Sequence, residues 1–365
     1  MVVLCHSSVF LSPLTNGHHI GVAMRYFLAA LAPLGTLGVE LFFVLSGYLI
    51  GGILIRDYLS ADSFSFSTVR NFWLRRWFRT IPVNWLILSV NIVLYTAMHI
   101  LTRYNNVLFY FFLQNLWYPH PVYFFGEAWS LAVEEWFYLT LPVVLLISTL
   151  MAKPKNKKYF LLRVFIGYLL VFVTVRTVNA INPLYPDQDS GIRKIVLFRL
   201  DAVMYGVLFA WLAYYYDQLI IHLKKRLLAI SLIGALLMYY ILYKGGFPGY
   251  IAIHRKARFL SDAFLYLFIP FFFSFCLPYA AQVRHIACHK CTAFITFISK
   301  ISYSMYLVHY SLIFIPFFSK LQLSSRSAII GLYILYWLLV IGLSALLYKF
   351  YEHPIMRLRD KISRQ

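Results

Sequence analysis

The stretch GTLGVELFFVLSGYLIGGILI, residues 35–55, decides the class of fold. A helix that spans a bilayer needs about 20 mostly apolar residues, and this run is long enough. It nevertheless contains a carboxylate, Glu40. A charge at the centre of a bilayer costs about 2.5–3.5 kcal/mol on insertion scales, so it is tolerated mainly where it faces a partner or a polar cavity. The stretch therefore predicts a membrane protein with chemistry or transport inside the membrane.

The composition extends this interpretation to the whole chain. Its 365 residues are 61% hydrophobic and 13% charged, and the mean hydropathy is +0.72. Globular domains carry about 25% charged residues. We predict an all-α polytopic membrane protein, a single domain over 1–365, with about ten transmembrane helices. The candidate spans lie near 1–14, 35–56, 82–101, 129–151, 159–181, 195–216, 227–243, 260–280, 301–319 and 328–350.

The two ends of the chain carry separate expectations. The segment from Met1 to Leu14 is too short to cross a bilayer, so we expect that the first helix is truncated and that roughly a dozen residues precede it. No fused extracytoplasmic domain is expected after the last helix.

The net charge of +20 is distributed by topology rather than arranged for nucleic acid, which we do not expect as a partner. With a cytoplasmic N-terminus, eighteen basic residues fall in inner loops and about nine on the other side, as the positive-inside rule predicts. Both termini are then cytoplasmic. The exception is the basic segment 244–259, which would be external and would face either lipid headgroups or an anionic acceptor.

Metal binding is not expected. The pattern H-x2-C-H-x-C at 285–291 superficially resembles a zinc site. Structural zinc sites use two separated ligand pairs with a folded module between them, and four ligands within seven residues are too cramped for that arrangement.

Three arginines, Arg75, Arg76 and Arg79, lie in R-R-W-F-R-T-I-P at 75–82, where a helix is predicted to begin at Pro82. Guanidinium groups bind phosphates through paired hydrogen bonds, which suits a nucleotide-type donor such as coenzyme A. Basic residues with aromatic neighbours also mark the cytoplasmic boundary of any membrane protein. The spacing alone favours this second interpretation.

Two predicted helices carry polar stripes. Ser130, Glu134 and Tyr138 share one face of the helix at 129–151. A buried glutamate there would act as an acid, a base or a cation ligand, or would only clamp two helices together. In ISYSMYLVHYSL, Tyr306 and His309 share a face, and Tyr303 lies on a neighbouring one.

A second histidine in an apolar context, His6, lies between Cys5 and Ser7. A histidine within the membrane can relay protons or act as a general base, because its pKa lies near neutrality. It can equally be a hydrogen-bonded packing residue. The residues alone predict a polytopic enzyme or a transporter that couples these groups to protons.

A resemblance to a known family extends the interpretation. Six segments, in order, resemble those of the acyltransferase-3 family, membrane-bound O-acyltransferases that modify bacterial surface polysaccharides. They are GVELFFVLSGYLI at 38–50, RRWFRTIP at 75–82, WSLAVEEWFY at 129–138, RLDAVMYG at 199–206, ISYSMYLVH at 301–309 and YEHPIMRLR at 351–359. With the N-terminal match described next, the resemblance runs from about residue 4 to residue 359.

The resemblance implies ten helices, an acyl-CoA donor reached from the cytoplasm and an acceptor sugar on the far side of a bacterial inner membrane. It gives His6 the role of the family's essential histidine, although the arginine of that R-x10-H motif would lie before Met1. Glu40 stands where the family usually has aspartate.

Fitting roles to acyl transfer gives a specific hypothesis. His6 is the base and Glu40 is its orienting carboxylate. The three arginines hold the phosphates of coenzyme A, and Glu134 lines the acceptor side or completes the polar site. The remaining candidates for substrate contact, or for a transient acyl carrier, are Ser130, Tyr303, Tyr306 and His309. Direct transfer and an acyl relay through tyrosine stay open.

The expected donor is acetyl-CoA or another acyl-CoA, and no metal is required. The expected acceptor is a cell-envelope glycan or lipid-linked saccharide, such as a lipopolysaccharide O-antigen unit, in contact with membrane lipid. The alternatives are a proton-coupled transporter and an inactive scaffold of polysaccharide assembly. No internal repeat is visible, although many transporters have one.

Overall fold

A computed structural model describes residues 1–15, 19–60, 63–99, 106–121, 124–185, 187, 189–244, 259, 261–283, 289–319, 321 and 325–362. Within these ranges the chain is helical and contains no strand. The α-helices are α1 (Val2–Ser7), α2 (His19–Ser60), α3 (Phe66–Ala97), α4 (Val107–Tyr110), α5 (Ala128–Ala152), α6 (Lys157–Ile181), α7 (Leu200–Tyr215), α8 (Asp217–Lys244), α9 (Tyr266–Ser274), α10 (Leu277–Ala280), α11 (His289–Val308), α12 (Arg326–Leu347) and α13 (His353–Ile362).

Shorter helical segments connect or extend these elements. A 3-10 helix, Ser8–Thr15, follows α1, and another, Val196–Phe198, precedes α7. The wider turns of π-helix occur at Asp189–Arg193, Ser261–Leu265, His309–Phe318 and Tyr348–Glu352. The π-helix after α11 carries His309 at its first position.

Eight helical segments in the described ranges are long and apolar enough to cross a membrane. Two shorter apolar helices, Val2–Thr15 and Leu200–Tyr215, coincide with the two remaining predicted spans. All ten predicted segments thus fall on apolar helices, and the chain is an all-α, multi-pass membrane protein. The fold class predicted from hydropathy is confirmed.

Helix boundaries differ most at α2 and α3. Helix α2 begins at His19 rather than near residue 35, and α3 begins at Phe66 rather than at Pro82. At α3 the apolar run ends at the arginines, whereas backbone hydrogen bonding continues through the polar residues before them. At α2 the added residues 20–34, IGVAMRYFLAALAPL, are themselves mostly apolar, so the predicted span was too short. The prediction that the helix begins at Pro82 is wrong, because Arg75, Arg76 and Arg79 lie inside α3.

The closest packing between helices joins α2 to α7 through glycines. A Cβ atom added to Gly47 would lie 1.9 Å from the carbonyl oxygen of Val203, and one added to Gly206 would lie 2.0 Å from that of Val44. Neither neighbour can give way, because each is helical backbone. Small residues allow membrane helices to approach this closely, so the glycines fix the spacing of α2 and α7.

Substituting Gly47 by alanine is expected to destabilise the fold by about 1–3 kcal/mol, the usual cost of overpacking a core. The matched control is Gly52→Ala on the same helix, because a Cβ atom there meets nothing within 4 Å. That change should be neutral or slightly stabilising, since alanine favours helix. Thermal unfolding midpoints in detergent compare the two variants, and equal midpoints would contradict this account of the helix contact.

Two buried ion pairs account for the intramembrane charges of α2 and α7. Arg199 at the start of α7 contacts Glu40 of α2 at 2.5 Å, and Asp201 contacts Arg176 of α6 at 2.5 Å. All four side chains have 0% exposure. Charges in a membrane require such partners, and these pairs join three helices around one polar layer.

Candidate active site

Two neighbouring cavities lie among the helices. The histidine cavity, about 480 Å³, is lined among others by His6, Glu127 and Arg193. The arginine cavity, about 350 Å³, is lined among others by Arg76 and Arg79. Both cavities share three lining residues, Val2, Val39 and Tyr306. The two spaces therefore meet at a common wall.

The cavities occupy successive levels of the helix bundle. On α2, Ala29 and Thr36 line the histidine cavity, whereas Ser46 and Ile50 line the arginine cavity. The ten residues from Thr36 to Ser46 correspond to roughly 15 Å along a helix axis. The same order holds on α5 and the reverse order on α11. The arginine cavity therefore lies toward the side predicted to be cytoplasmic, and the histidine cavity toward the opposite side.

His6 and His309 form a hydrogen-bonded pair. The Nδ1 atom of His6 lies 2.8 Å from Nε2 of His309, and Nδ1 of His309 lies 2.7 Å from the carbonyl oxygen of Tyr306. A carbonyl oxygen only accepts, so Nδ1 of His309 is the donor and its Nε2 is an acceptor. Nδ1 of His6 must then donate, and the lone pair of His6 remains on Nε2. This nitrogen has no hydrogen bond to any described residue, and its ring lines the histidine cavity.

Tyr306 forms the shared wall together with Ser130. The hydroxyl of Tyr306 donates to the carbonyl oxygen of Glu127 at 3.1 Å and lies 2.6 Å from Oγ of Ser130. Tyr306 also lies three residues before His309, so the end of α11, together with the first residue of the π-helix that follows it, carries both the wall residue and one member of the histidine pair. The polar stripes predicted on the two helices thus meet each other.

Glu127, directly before α5, was not identified from the sequence. Its carboxylate accepts hydrogen bonds from the backbone amide of Ser311 at 3.2 Å and from the Ser311 hydroxyl at 2.5 Å. This contact ties the start of the π-helix that carries His309 to the start of α5. Burial raises the pKa of Glu127 to about 7, although the hydrogen bonds from Ser311 oppose the shift. The available signal was its position in FGEAWSL, next to the polar stripe of α5.

The raised pKa predicts that Glu127 makes folding depend on pH. The unfolded glutamate has a pKa of about 4.3, whereas the folded one keeps its proton to about pH 7. This contribution to stability is complete below the unfolded pKa and is lost as the pH rises through about 7. We expect the unfolding midpoint to fall over this interval in the wild type, and less in Glu127→Gln. Unfolding scans from pH 4 to pH 8 measure the difference, and parallel curves would contradict it.

The arginine cavity separates the three predicted arginines. Arg76 and Arg79 line the cavity and have no ion pair with any described residue. Arg75 instead pairs with Asp57 of α2 at 2.6 Å, and it does not line the cavity. Among the described residues neither arginine is within ion-pair distance of a carboxylate, and the single charge of Glu134 in the same cavity balances only one of the two, which leaves room for an anionic ligand.

Glu134 forms the helix clamp that was one of its two interpretations from the sequence. Ser46 of α2 donates to its carboxylate at 2.6 Å, and Tyr138, one turn along α5, also donates to it. These contacts clamp α2 to α5. The same carboxylate lines the arginine cavity, as does Tyr303, whose hydroxyl donates to the carbonyl oxygen of Thr80 at 2.8 Å.

The structure does not form the predicted contact between His6 and Glu40. Glu40 is held by Arg199, and His6 is held by His309. The reason is that Arg199 offers a full positive charge inside the bundle, which a neutral imidazole cannot match. His309 therefore takes the orienting position that was assigned to Glu40.

Other charged residues of the histidine cavity lie in connections between helices. Asp189, Arg193 and Lys194 come from the segment before α7, and His120 from the one before α5. No hydropathy signal marks them. Of the pattern at 285–291, His285 and Cys288 lie outside the described residues, and the basic segment does so from 245 to 258. Within the described ranges no group of three histidine, cysteine or acidic side chains could hold a metal ion.

Comparison with known proteins places the chain in a family. The acyltransferase-3 model, described as an acyltransferase domain, matches residues 1–349. The chain is 27% identical to O-acetyltransferase OatA of Staphylococcus aureus strain NCTC 8325 over 364 residues, which is 93% of this chain and 55% of that protein. A second relative, from strain COL, is 27% identical over 306 residues, 76% of this chain and 46% of the relative.

The chain thus spans about half the length of the curated relatives that it matches. No solved structure matches it. The family model covers nearly the whole helical bundle, including both cavities and the histidine pair. The chain belongs to the acyltransferase-3 family.

Proposed function

We propose that this protein is a membrane O-acyltransferase that moves an acetyl group from acetyl-CoA to a hydroxyl of a cell-envelope glycan. One observation carries the proposal: two cavities with different linings meet at Tyr306, beside a histidine whose free nitrogen has no hydrogen bond to any described residue. This arrangement suits transfer between two substrates that reach the bundle from opposite faces. The names of the relatives support acetyl as the transferred group.

The arginine cavity fits the donor. Arg76 and Arg79 make no ion pair with any described residue, and arginine binds phosphate oxygens through paired hydrogen bonds. The rest of the lining is largely apolar, with Phe42, Leu45 and Leu49 from α2. An acyl chain on an uncharged arm suits such walls, while the phosphates stay near the arginines.

The histidine pair supplies the base. Nε2 of His6 takes the proton of the acceptor hydroxyl as its oxygen attacks the thioester carbonyl carbon. The C–S bond then breaks, the acetyl group stays on the acceptor oxygen, and the proton passes to the leaving thiolate. His309 accepts from Nδ1 of His6 and stabilises the positive charge that develops on that ring. Glu134 lines the arginine cavity and therefore belongs to the proposed donor side, not to the acceptor side to which the sequence assigned it. Ser130, Tyr303 and Tyr306 line the same cavity, where a direct transfer or a relay is proposed to pass.

The acceptor is proposed to be a saccharide presented on the non-cytoplasmic face of a bacterial inner membrane, free or lipid-linked, such as an O-antigen unit. Both termini are proposed to be cytoplasmic, because the distribution of basic residues among the loops favours that orientation, in which the arginine cavity also faces the cytoplasm.

Radiolabelled acetyl-CoA tests the function. The protein in lipid nanodiscs is mixed with the label and a cell-envelope glycan extract, and both free coenzyme A and glycan-bound label are followed. Label in the glycan supports the proposal. Label that stays on the protein without an acceptor would establish the relay. A folded protein that neither releases coenzyme A nor transfers label would favour the transporter or scaffold.

Replacing Arg76 and Arg79 by glutamine is expected to raise KM for acetyl-CoA by at least about tenfold, because each charged hydrogen bond contributes about 1.5–3 kcal/mol. The effect on kcat should be smaller, since neither side chain lies at the histidine pair. Arg75→Gln, one residue away but paired with Asp57, is the matched control. Steady-state kinetics with varied acetyl-CoA distinguish the variant from the control. An equal rise in KM for the control would contradict the assignment of Arg76 and Arg79 to donor binding.

A further inference from the structure

Arg193 is the cation of the histidine cavity with the most unused donors. Its Nε donates to the carboxylate of Asp189, and its two terminal nitrogens make no hydrogen bond to any described residue. The side chain is only 13% exposed, and its guanidinium stacks 4.8 Å from the ring centre of Trp129. A guanidinium held at Nε and by stacking presents its Nη1 and Nη2 pair in a fixed direction. Such a fork matches the two oxygens of a carboxylate or a phosphate.

The charge balance of the cavity points to the same kind of ligand. Asp189 is shared by Arg193 and Lys194, whose Nζ lies 2.5 Å from the second carboxylate oxygen. One carboxylate therefore faces two cations. Burial alone would raise the pKa of Asp189, but the two cations outweigh it and lower this pKa to about 2. Asp189 is therefore ionised and contributes one negative charge. One positive charge remains without a counterion in this cluster.

The other carboxylate of the cavity does not neutralise this charge. Both oxygens of Glu127 are occupied by Ser311, and Glu127 is only 2% exposed. With its pKa near 7, it is also partly protonated at neutral pH.

His120 adds a polar group that is buried without a partner. Its ring is 3% exposed and lines the cavity, and its Nε2 atom has no hydrogen bond to any described residue. Buried polar groups are nearly always paired, so a lone one at the edge of a cavity indicates a ligand that completes it. The ring is neutral at physiological pH, because burial and the charge of Lys194 lower its pKa to about 3. A neutral imidazole suits a hydroxyl group rather than a second anion.

We propose that the histidine cavity binds an anionic saccharide, with a carboxylate or phosphate group of the sugar on the Nη1 and Nη2 atoms of Arg193 and a hydroxyl on His120. This deepens the proposed function, on which its description as the acceptor site rests. Lys194 adds a positive charge to the site, but its ammonium group does not offer the fixed pair of donors that the guanidinium of Arg193 does. The ring of Tyr310, 4.7 Å from that of His6, places the base beside this site.

Direct binding tests the proposal without relying on catalysis. The full chain in nanodiscs, without acetyl-CoA, is titrated calorimetrically with three probes: a trimer of glucose, the matching trimer of glucuronic acid, and a glucose trimer carrying one 6-phosphate. We expect one or both anionic probes to bind about ten- to a hundredfold more tightly than the neutral trimer, as charged hydrogen bonds predict. The two anionic arms distinguish a carboxylate from a phosphate.

The variants locate the effect. Arg193→Gln should abolish the preference for the anionic probe, and Arg193→Lys should restore part of it by charge alone. Arg25→Gln, an exposed arginine of α2 that does not line the cavity, should keep the full preference. Equal binding of neutral and anionic probes, or a preference that survives in Arg193→Gln, would overturn the proposal. Preference without label transfer in the acetyl-CoA assay would instead count against the proposed function.

Discussion

Replacing His6 by alanine is expected to lower acetyl transfer by about 10²- to 10⁴-fold, the usual contribution of a general base. The reason is geometric: His6 Nε2 is the nitrogen of the histidine pair that keeps a lone pair toward the cavity. Release of coenzyme A in the presence of the acceptor, measured in nanodiscs at saturating acetyl-CoA, gives the rate. KM for acetyl-CoA should change little, because the donor is proposed to bind in the arginine cavity.

Two further variants separate loss of the base from loss of structure. His6→Asn keeps an N–H donor toward His309 but has no basic nitrogen, so it should be nearly as inactive as the alanine variant while unfolding at the wild-type temperature. His222→Ala, at an exposed position on α8, should be fully active. Substantial activity in His6→Asn would remove His6 from the role of base.

Replacing Arg199 by methionine is expected to destabilise the protein by about 3–5 kcal/mol, because it leaves the carboxylate of Glu40 buried without its partner. Both side chains have 0% exposure, so water cannot replace the arginine as a hydrogen-bond partner of the carboxylate. The double variant Glu40→Met with Arg199→Met should regain most of this loss, since two well-packed apolar side chains often replace a buried ion pair at little cost.

An exposed pair provides the comparison. Arg75→Gln breaks the contact with Asp57, in which the side chains are 39% and 27% exposed, and should cost no more than about 1 kcal/mol. Unfolding free energies from denaturant titration in mixed micelles measure all four proteins. A double variant as unstable as Arg199→Met alone would show that the loss of stability is not due to an unpaired charge.

Each segment that hydropathy predicted coincides with an apolar helix of the described ranges, eight of them long enough to span a membrane, because burial in lipid needs only a long apolar run. Hydropathy could not find the start of α3, because the arginines at 75, 76 and 79 end the apolar run while the helix continues toward Phe66. It also could not pair charges across the chain. Glu40 and Arg199 are 159 residues apart, and the sequence around either residue does not indicate which residue it pairs with.

In the candidate site too, local sequence patterns predicted some residues, whereas others depend on contacts between distant parts of the chain. Periodicity placed Ser130 and Tyr306 on polar faces of their helices, and the structure brings their hydroxyls to 2.6 Å from each other. It did not identify Glu127 or Arg193, because Glu127 lies in a connection and Arg193 in a π-helix of only five residues, too short to show a repeat. Their position follows from how α5, α7 and α11 meet, which is a property of the packed bundle.

The common wall at Tyr306 bears on the energetics of the cell. If donor and acceptor each stay in their own cavity, as proposed, neither coenzyme A nor the sugar has to cross the bilayer, and only a two-carbon fragment passes the wall. The bundle then has no need to open alternately to the two sides. Glycan modification would proceed without drawing on the proton gradient and without opening a path through which that gradient could dissipate.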